Sequence, residues 1–230
     1  MASGTTTYAE TEPTQRMLTS RSKKPKRLSN SRKSDKRRGE IIRVAIEIIN
    51  AKSYPIATMT EIAAALNLRD ATLYYYFPNK AALAYACHLR SLERFEGLLR
   101  DADRVGGTGA AKLRRLVLGL LTDSAKNGSQ IYFGDHSYLE ADQRKHILEW
   151  AGHLTAMTEK FLKDGIADGS LVPCETELVV QLLLGMLIWL ARWVPKIDGM
   201  TVDRLMNAIG AFSLDGLETA KRPGPAGPGL

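Results

Sequence analysis

The chain has 230 residues, 44% of them hydrophobic, and a formal charge of +7. This length and apolar content suit a two-part folded chain and exclude global disorder. Two cysteines, Cys87 and Cys174, exclude a disulfide framework, and no apolar run near the N-terminus reads as a signal sequence, so a reducing, cytoplasmic compartment is expected.

The positive charge is local. Residues 21–38 hold ten Lys and Arg, among them Lys36 and Arg37, against the single acid Asp35; this segment alone is +9, leaving −2 for the rest. With Ser- and Thr-rich, apolar-poor sequence before it, residues 1–34 read as a disordered basic arm. Such an arm suits attraction to phosphates with release of counterions.

From about Asp35 the pattern turns helical, with Ile41, Ile42, Ala45, Ile48 and Ile49 recurring at three- and four-residue steps. Tyr54-Pro55 ends this helix, because the residue before proline is driven out of the α region. Thr58 then has the capping-box spacing to Glu61, and Met59, Ile62, Ala63 and Leu66 form the buried face of a short second helix. After Asn67-Leu68-Arg69, the stretch from Asp70 to Phe77 makes two turns with Leu73 and Phe77 on one side. Pro78 stops it, and Asn79 caps a long helix reaching about Asp103. Beyond the Gly106-Gly107-Thr108-Gly109 breaker, helical patterns follow at roughly 110–126, 130–140, 142–168, 175–195 and 201–219. Neither strand alternation nor an internal repeat is present, so the chain is all-α with about nine helices. The Pro/Gly-rich end, 221–230, reads as a disordered tail.

A short capped helix, a three-residue break and a second short helix make a helix-turn-helix, in which the second helix presents its outer side chains to base edges. With Leu73 and Phe77 inward, Arg69, Asp70, Thr72, Tyr75 and Tyr76 are left outside. Three consecutive tyrosines are an unusual surface for a helix that faces only water.

The run TMTEIAAALNLRDATLYYYFPNKAALAYA, Thr58 to Ala86, resembles the TetR family of bacterial transcription regulators. The matching positions are Thr58, Ile62, Ala63, Leu73, Tyr74, Phe77, Lys80 and Leu83; with the first helix the likeness covers about residues 35–95. It implies a helix-turn-helix DNA-binding domain over 35–82 and a helical ligand-binding and dimerisation domain over 83–220. Arg69, Asp70, Ala71 and Thr72 then lead the recognition helix, and Tyr74, Tyr75 and Tyr76 stand where phosphate, sugar or a thymine methyl is touched. Lys80 matches a phosphate-reaching lysine, and Thr58 and Thr60 match positions that meet backbone or base. The turn departs from the common Gly-Val-Ser-Lys-Gly. Asn67 tolerates a left-handed conformation as glycine would. Asp70 either accepts from cytosine N4 or caps its own helix, the cap being the favoured reading, and Arg69 contacts a guanine or a phosphate.

The same likeness implies a homodimer, a palindromic double-stranded operator and release by a small hydrophobic effector. Leu182, Leu183, Met186, Leu187 and Leu190, with Leu205, Met206, Ile209, Phe212 and Leu217, form two apolar stripes for a four-helix interface with a second copy. Tyr132, Phe133, Trp150, Met157, Trp189 and Trp193 are candidates for an aromatic-lined cavity, with His136, His153 and Arg192 as polar anchors. The segment Trp189–Pro195 loosely resembles relatives that respond to acyl-CoA thioesters or hydrophobic acids. Leu178–Leu190, the most apolar stretch, is shorter than the about 20 residues of a membrane span and reads as a buried or interface helix.

Catalysis finds no support. Cys87 and His88 are adjacent, and neighbours on a helix point about 100° apart, so they form no nucleophile–base pair. Four histidines show no zinc spacing, Asp135, His136 and Glu140 read as a solvated loop, and the glycine run lacks a following Lys-Ser/Thr. No cofactor or metal is expected. The competing reading is a non-specific nucleic-acid binder working through the basic arm.

Overall fold

The computed structural model describes residue 1 and residues 26–131 and 136–217; the segments 2–25, 132–135 and 218–230 lie outside the described residues. Eight α-helices, and no strand among these residues, build an all-α chain: α1 (Lys26–Lys52), α2 (Met59–Ala65), α3 (Asp70–Tyr76), α4 (Lys80–Val105), α5 (Gly109–Asn127), α6 (Ala141–Ala167), α7 (Thr176–Trp193) and α8 (Val202–Ile209). A π-helical turn, Gly210–Leu214, and a last short α-turn, Asp215–Leu217, continue α8.

Buried apolar side chains fall into two clusters. The first unites Ile41, Ile42, Ala45, Ile46 and Ile49 of α1 with Ile62 and Ala63 of α2, Leu73 and Phe77, and Leu83, Ala86 and Cys87 of α4. The second begins on α4 with Leu92 and Leu99 and takes in α5, α6, α7 and α8. The 26-residue α4 therefore carries side chains of both cores and is the rigid bar between head and body.

The local physics of the head follows its sequence. Thr58 Oγ1 accepts the Glu61 N–H at 3.1 Å, while the Glu61 carboxylate pairs with Lys52 at 2.5 Å. Asn67 takes φ +54°, closing the turn in the left-handed region that its short amide side chain tolerates. Asn79 Oδ1 accepts the Ala82 N–H at 2.7 Å and starts α4.

Three expectations change. The first helix begins at Lys26, nine residues before Asp35, so the end of the expected basic arm is helical. No glycine or proline interrupts residues 26–38, and unbranched Lys and Arg are good helix formers. Residues 128–131 and 136–140 are not helical; Gly128, at φ +82°, ends α5, Ile131 joins the head core and Tyr138 stacks on Tyr54. The outward stripe of α7 is Leu178, Leu182 and Trp189, whereas Leu183, Leu187 and Leu190 are core. Three-plus-four spacing fixes that a helix has an apolar face, but α7 is apolar nearly all round and its phase is set by packing. By length and composition Thr176–Lys196 would suffice to cross a membrane; here one side of it fills the body core and the other carries the outward stripe.

Candidate nucleic-acid interface and interior cavity

The helix-turn-helix is held by polar ties as well as by its core. Thr60 Oγ1 donates to Asp70 Oδ2 at 2.7 Å, joining the outer ends of α2 and α3. Asp70 therefore does not cap its own helix: Arg69 occupies the N-cap position in extended conformation without a side-chain capping bond, and Asp70 is the first helical residue. Its negative charge still suits the positive end of the helix dipole.

Leu73 and Phe77 are fully buried, which turns the opposite side of α3 outward. Arg69, Asp70 and Ala71 are exposed and Thr72 half-buried; Tyr75 is 81% exposed and Tyr74 48%. Tyr76 meets Tyr75 edge to face, with ring centroids 5.3 Å apart. Tyr76 also accepts Arg38 Nη1 on its carbonyl at 3.2 Å, while the Arg38 guanidinium covers the Phe77 ring. Beside Arg38, α1 carries exposed Lys36 and half-buried Arg37, the latter paired with Glu40 at 2.8 Å.

Lys80 departs from its expected place at a phosphate. Its ammonium donates to the carbonyls of Tyr54 and Ala57, both at 2.9 Å, and of Pro55 at 3.3 Å, and lies 4.4 Å from the Tyr54 ring centroid. An ammonium has three donors, and all three are used on the α1–α2 loop. Lys80 is a clamp.

The body holds a cavity of about 580 Å³ between α4, α5, α6, α7, the segment before α8 and the start of α8. Of the expected pocket residues His136 lines it; Tyr132 and Phe133 lie outside the described residues. Trp150, His153, Met157, Trp189, Arg192 and Trp193 do not line it. The reason is helical phase. On α6 Ala151, Leu154 and Thr155 point inward, so Trp150 turns to Glu96 (Nε1 to carboxylate, 3.1 Å) and His153 to solvent. On α7 Leu184, Leu187, Ile188 and Ala191 face the cavity, which puts Trp189 on the outer stripe and Trp193 against the core edge. Apart from His136, Phe95 is the aromatic residue among the described lining, so the wall is aliphatic rather than aromatic. Sequence reading missed Ser91, Gln130 and Thr155, since single polar residues in apolar helices carry no spacing signal.

Comparisons with known proteins bear on this architecture. The family model described as bacterial regulatory proteins, tetR family, matches residues 41–87, and that of the tetracyclin repressor-like C-terminal domain matches 106–217. Together they take in the helix-turn-helix and the body from the end of α4 onward. The chain belongs to the TetR family.

It is a transcription regulator and not an enzyme. Among solved structures of similar fold are a regulatory protein in the tetR family from Rhodococcus RHA1 (21% identity, TM-score 0.63, 80% of this chain and 97% of that one). Others are AibR in complex with isovaleryl coenzyme A and operator DNA (21%, 0.64, 76% and 97%) and the ketosteroid transcriptional regulator KstR2 of Mycobacterium tuberculosis (18%, 0.65, 80% and 96%). No curated protein matches the sequence.

Two sets of contacts join the cavity wall of this TetR-family chain to its head. Buried Asn50, in the last turn of α1, donates from Nδ2 to the Gln130 carbonyl at 2.8 Å and accepts Arg192 Nη1 on its own carbonyl at 2.7 Å. Arg192 thus joins α7 to α1 instead of anchoring a ligand. In the second set Tyr138 stacks on Tyr54, centroids 3.5 Å apart, and its hydroxyl lies 2.8 Å from His88 Nε2. The His88 ring is 5.1 Å from that of cavity-lining His136.

Burial, and secondarily the neighbouring His136, push His88 down to about 3, while burial pushes the Cys87 thiol up. A neutral thiol beside a neutral imidazole is the reverse of an activated nucleophile. The shift also sets a pH dependence. Between about 6.5 and 3 the unfolded chain protonates this histidine and the folded chain does not, so acidification favours unfolding across that window. The Tm is expected to fall as pH drops from 7 to 5, and His88→Gln should flatten that slope in thermal melts; an equal slope in both proteins would refute the assignment.

Proposed function

We propose that this chain is a homodimeric, cytoplasmic repressor that binds a palindromic operator and is released when a small, mainly apolar effector enters the body cavity. The observation that carries the reading is the outer face of α3: exposed Tyr74 and Tyr75, the latter 81% exposed, flanked by half-buried Tyr76, with Arg69, Thr72 and the basic end of α1. Aromatic rings on a helix opened to the major groove suit thymine methyls and sugars, and the cations suit phosphates. The candidate contacts are Lys36, Arg37, Arg69, Ala71, Thr72, Tyr74, Tyr75 and Tyr76, with Thr58 capping α2 and the Thr60–Asp70 bond tying α2 to α3.

Dimerisation is assigned to the outward stripe of α7, Leu178, Leu182 and Trp189, together with Phe212, which is 81% exposed. A second copy placing the same stripe across a two-fold axis covers these side chains and sets two heads on half-sites one helical turn, about 34–36 Å, apart or a multiple of it. An effector pressing on Gln130 or His136 reaches α1 through Asn50 and the α1–α2 loop through Tyr138 and Tyr54. It shifts the equilibrium only as far as it binds the DNA-incompetent arrangement more tightly.

Selection of bound duplexes from a random pool tests the reading directly. A palindromic consensus is expected, and Tyr75→Ala should weaken binding to it by about 10-fold or more while leaving the Tm unchanged, since the ring is exposed. Recovery of unrelated sequences, with an affinity that collapses as salt rises, would instead identify a non-specific binder acting through its basic residues.

A further inference from the structure

The cavity wall has a charge character that its volume does not reveal. Among the described lining residues there is no lysine or arginine. Two arginines on the cavity-lining helices α4 and α7 are committed elsewhere. Arg94 holds the Asp123 carboxylate at 2.5 and 2.8 Å and the Gly128 carbonyl at 2.7 Å, and Arg192 holds the Asn50 carbonyl. Among the described lining residues the one carboxylate, Asp198, stands on the exposed segment after α7. Its charge repels an incoming anion.

Two polar lining groups, Ser91 and Gln130, stand at the end nearest the head. Ser91 is fully buried, and its Oγ accepts the Ile131 N–H at 3.0 Å, which leaves its O–H as a donor. The adjacent Gln130 lines the cavity, and its Nε2 is buried with no hydrogen-bond partner among the described residues. A buried amide N–H without an acceptor is costly, and a ligand oxygen would satisfy it. The rest of the described wall is mostly aliphatic, with Phe95, Met200 and Pro195, scattered hydroxyls and His136.

We infer that the cavity takes an uncharged, mainly apolar molecule that presents a carbonyl or hydroxyl oxygen to Gln130 and Ser91, and that it discriminates against carboxylates and phosphate-bearing thioesters. This rests on the reading of the cavity as the effector site. The physical reason is that transferring an anion into an aliphatic wall without a countercharge is far less favourable than transferring a neutral oxygen of the same shape. A volume of about 580 Å³ lies within the ordinary range for small-molecule sites.

The test uses the full-length protein without DNA, at pH 8. The uncharged dye N-phenyl-1-naphthylamine reports occupancy by fluorescence, and two isosteric competitors displace it: undecan-2-one and decanoate, which differ by a methyl in place of a charged oxygen. The ketone is expected to compete at a concentration at least about tenfold lower than the carboxylate. Gln130→Leu should weaken the ketone more than the dye. Thr155→Arg, which adds a cation to the wall, should reverse the preference. Equal or better displacement by decanoate, or dye binding that neither competitor nor Ala191→Phe disturbs, would overturn the inference. The regulatory reading fails separately: a ketone that occupies the cavity yet leaves operator affinity unchanged would sink the effector role and leave the ligand class standing.

Discussion

Gly109→Ala is expected to destabilise the body by more than about 3 kcal/mol, placing it among the exceptional single substitutions. Gly109 opens α5 and sits directly against α6. A Cβ there would overlap the backbone N and Cα of Gly165 and the carbonyl oxygen of Phe161. None of these is a side-chain end that can rotate away, so the two helices would have to separate. Separation would break further contacts at the same crossing. Gly109 N donates to Asp168 Oδ2 at 2.8 Å and Ala110 N to Ser170 Oγ at 3.2 Å, and Leu171 packs 2.5 Å from where a Cβ on Gly165 would stand. The Asp168 carboxyl is held below the usual range first by Ser170 and then by the Gly109 N–H, so it is ionised when it receives these donors.

Thermal unfolding followed by circular dichroism measures the effect, with Gly152→Ala as the control. Gly152 lies within α6 with nothing within 4 Å of its would-be Cβ, so alanine there should be neutral or stabilising by up to about 1 kcal/mol. Equal melting of Gly109→Ala and wild type would show that the close crossing is not required. The functional consequence is specific, because α5 and α6 form two walls of the cavity. A variant whose body opens should keep a head able to touch DNA but lose ligand occupancy.

What the sequence made legible was local. Thr58, Asn67 and Asn79 announce their roles because capping and left-handed turns depend on one residue and its immediate neighbours. Leu73 and Phe77 are readable as core because α3 is short and has a single possible inward face. The body resisted the same treatment. In α7 the apolar residues run nearly all round the helix, so Trp189 and Leu182 looked like lining or interface interchangeably until α5 and α6 fixed the phase. Large aromatics are conspicuous in a sequence, yet the cavity exists where side chains are small or slender: Ala151, Thr155 and Ala191 leave the space that Trp150 and Trp193 would have filled. Long-range polar ties were equally invisible. Nothing in the spacing of Asn50, Gln130 and Arg192, separated by 80 and 142 residues, announces that they meet.

Lys80 is the clearest case of one residue with two readings, and its replacement separates them. Lys80→Met keeps the length and apolar stem and removes the charge, leaving the carbonyls of Tyr54, Pro55 and Ala57 without their donor. Charge-assisted bonds of this kind contribute roughly 1.5–3 kcal/mol each when one partner is lost, and the bonds of a shared ammonium are not additive, so a head destabilised by about 2–3 kcal/mol is expected. Tyr54, which stacks on Tyr138, sits on the same loop, so the loss should also loosen the contact by which the body reaches the head. Had Lys80 instead been a phosphate ligand, the Tm would barely move, while the slope of log affinity against log salt would fall by about 0.9 per contact removed. Measuring both on the same variant decides between them. A lowered Tm with an unchanged slope identifies the clamp. It would also mean that the cations that set salt dependence lie on α1 and at Arg69, whose side chains the fold leaves outward, rather than at the start of α4.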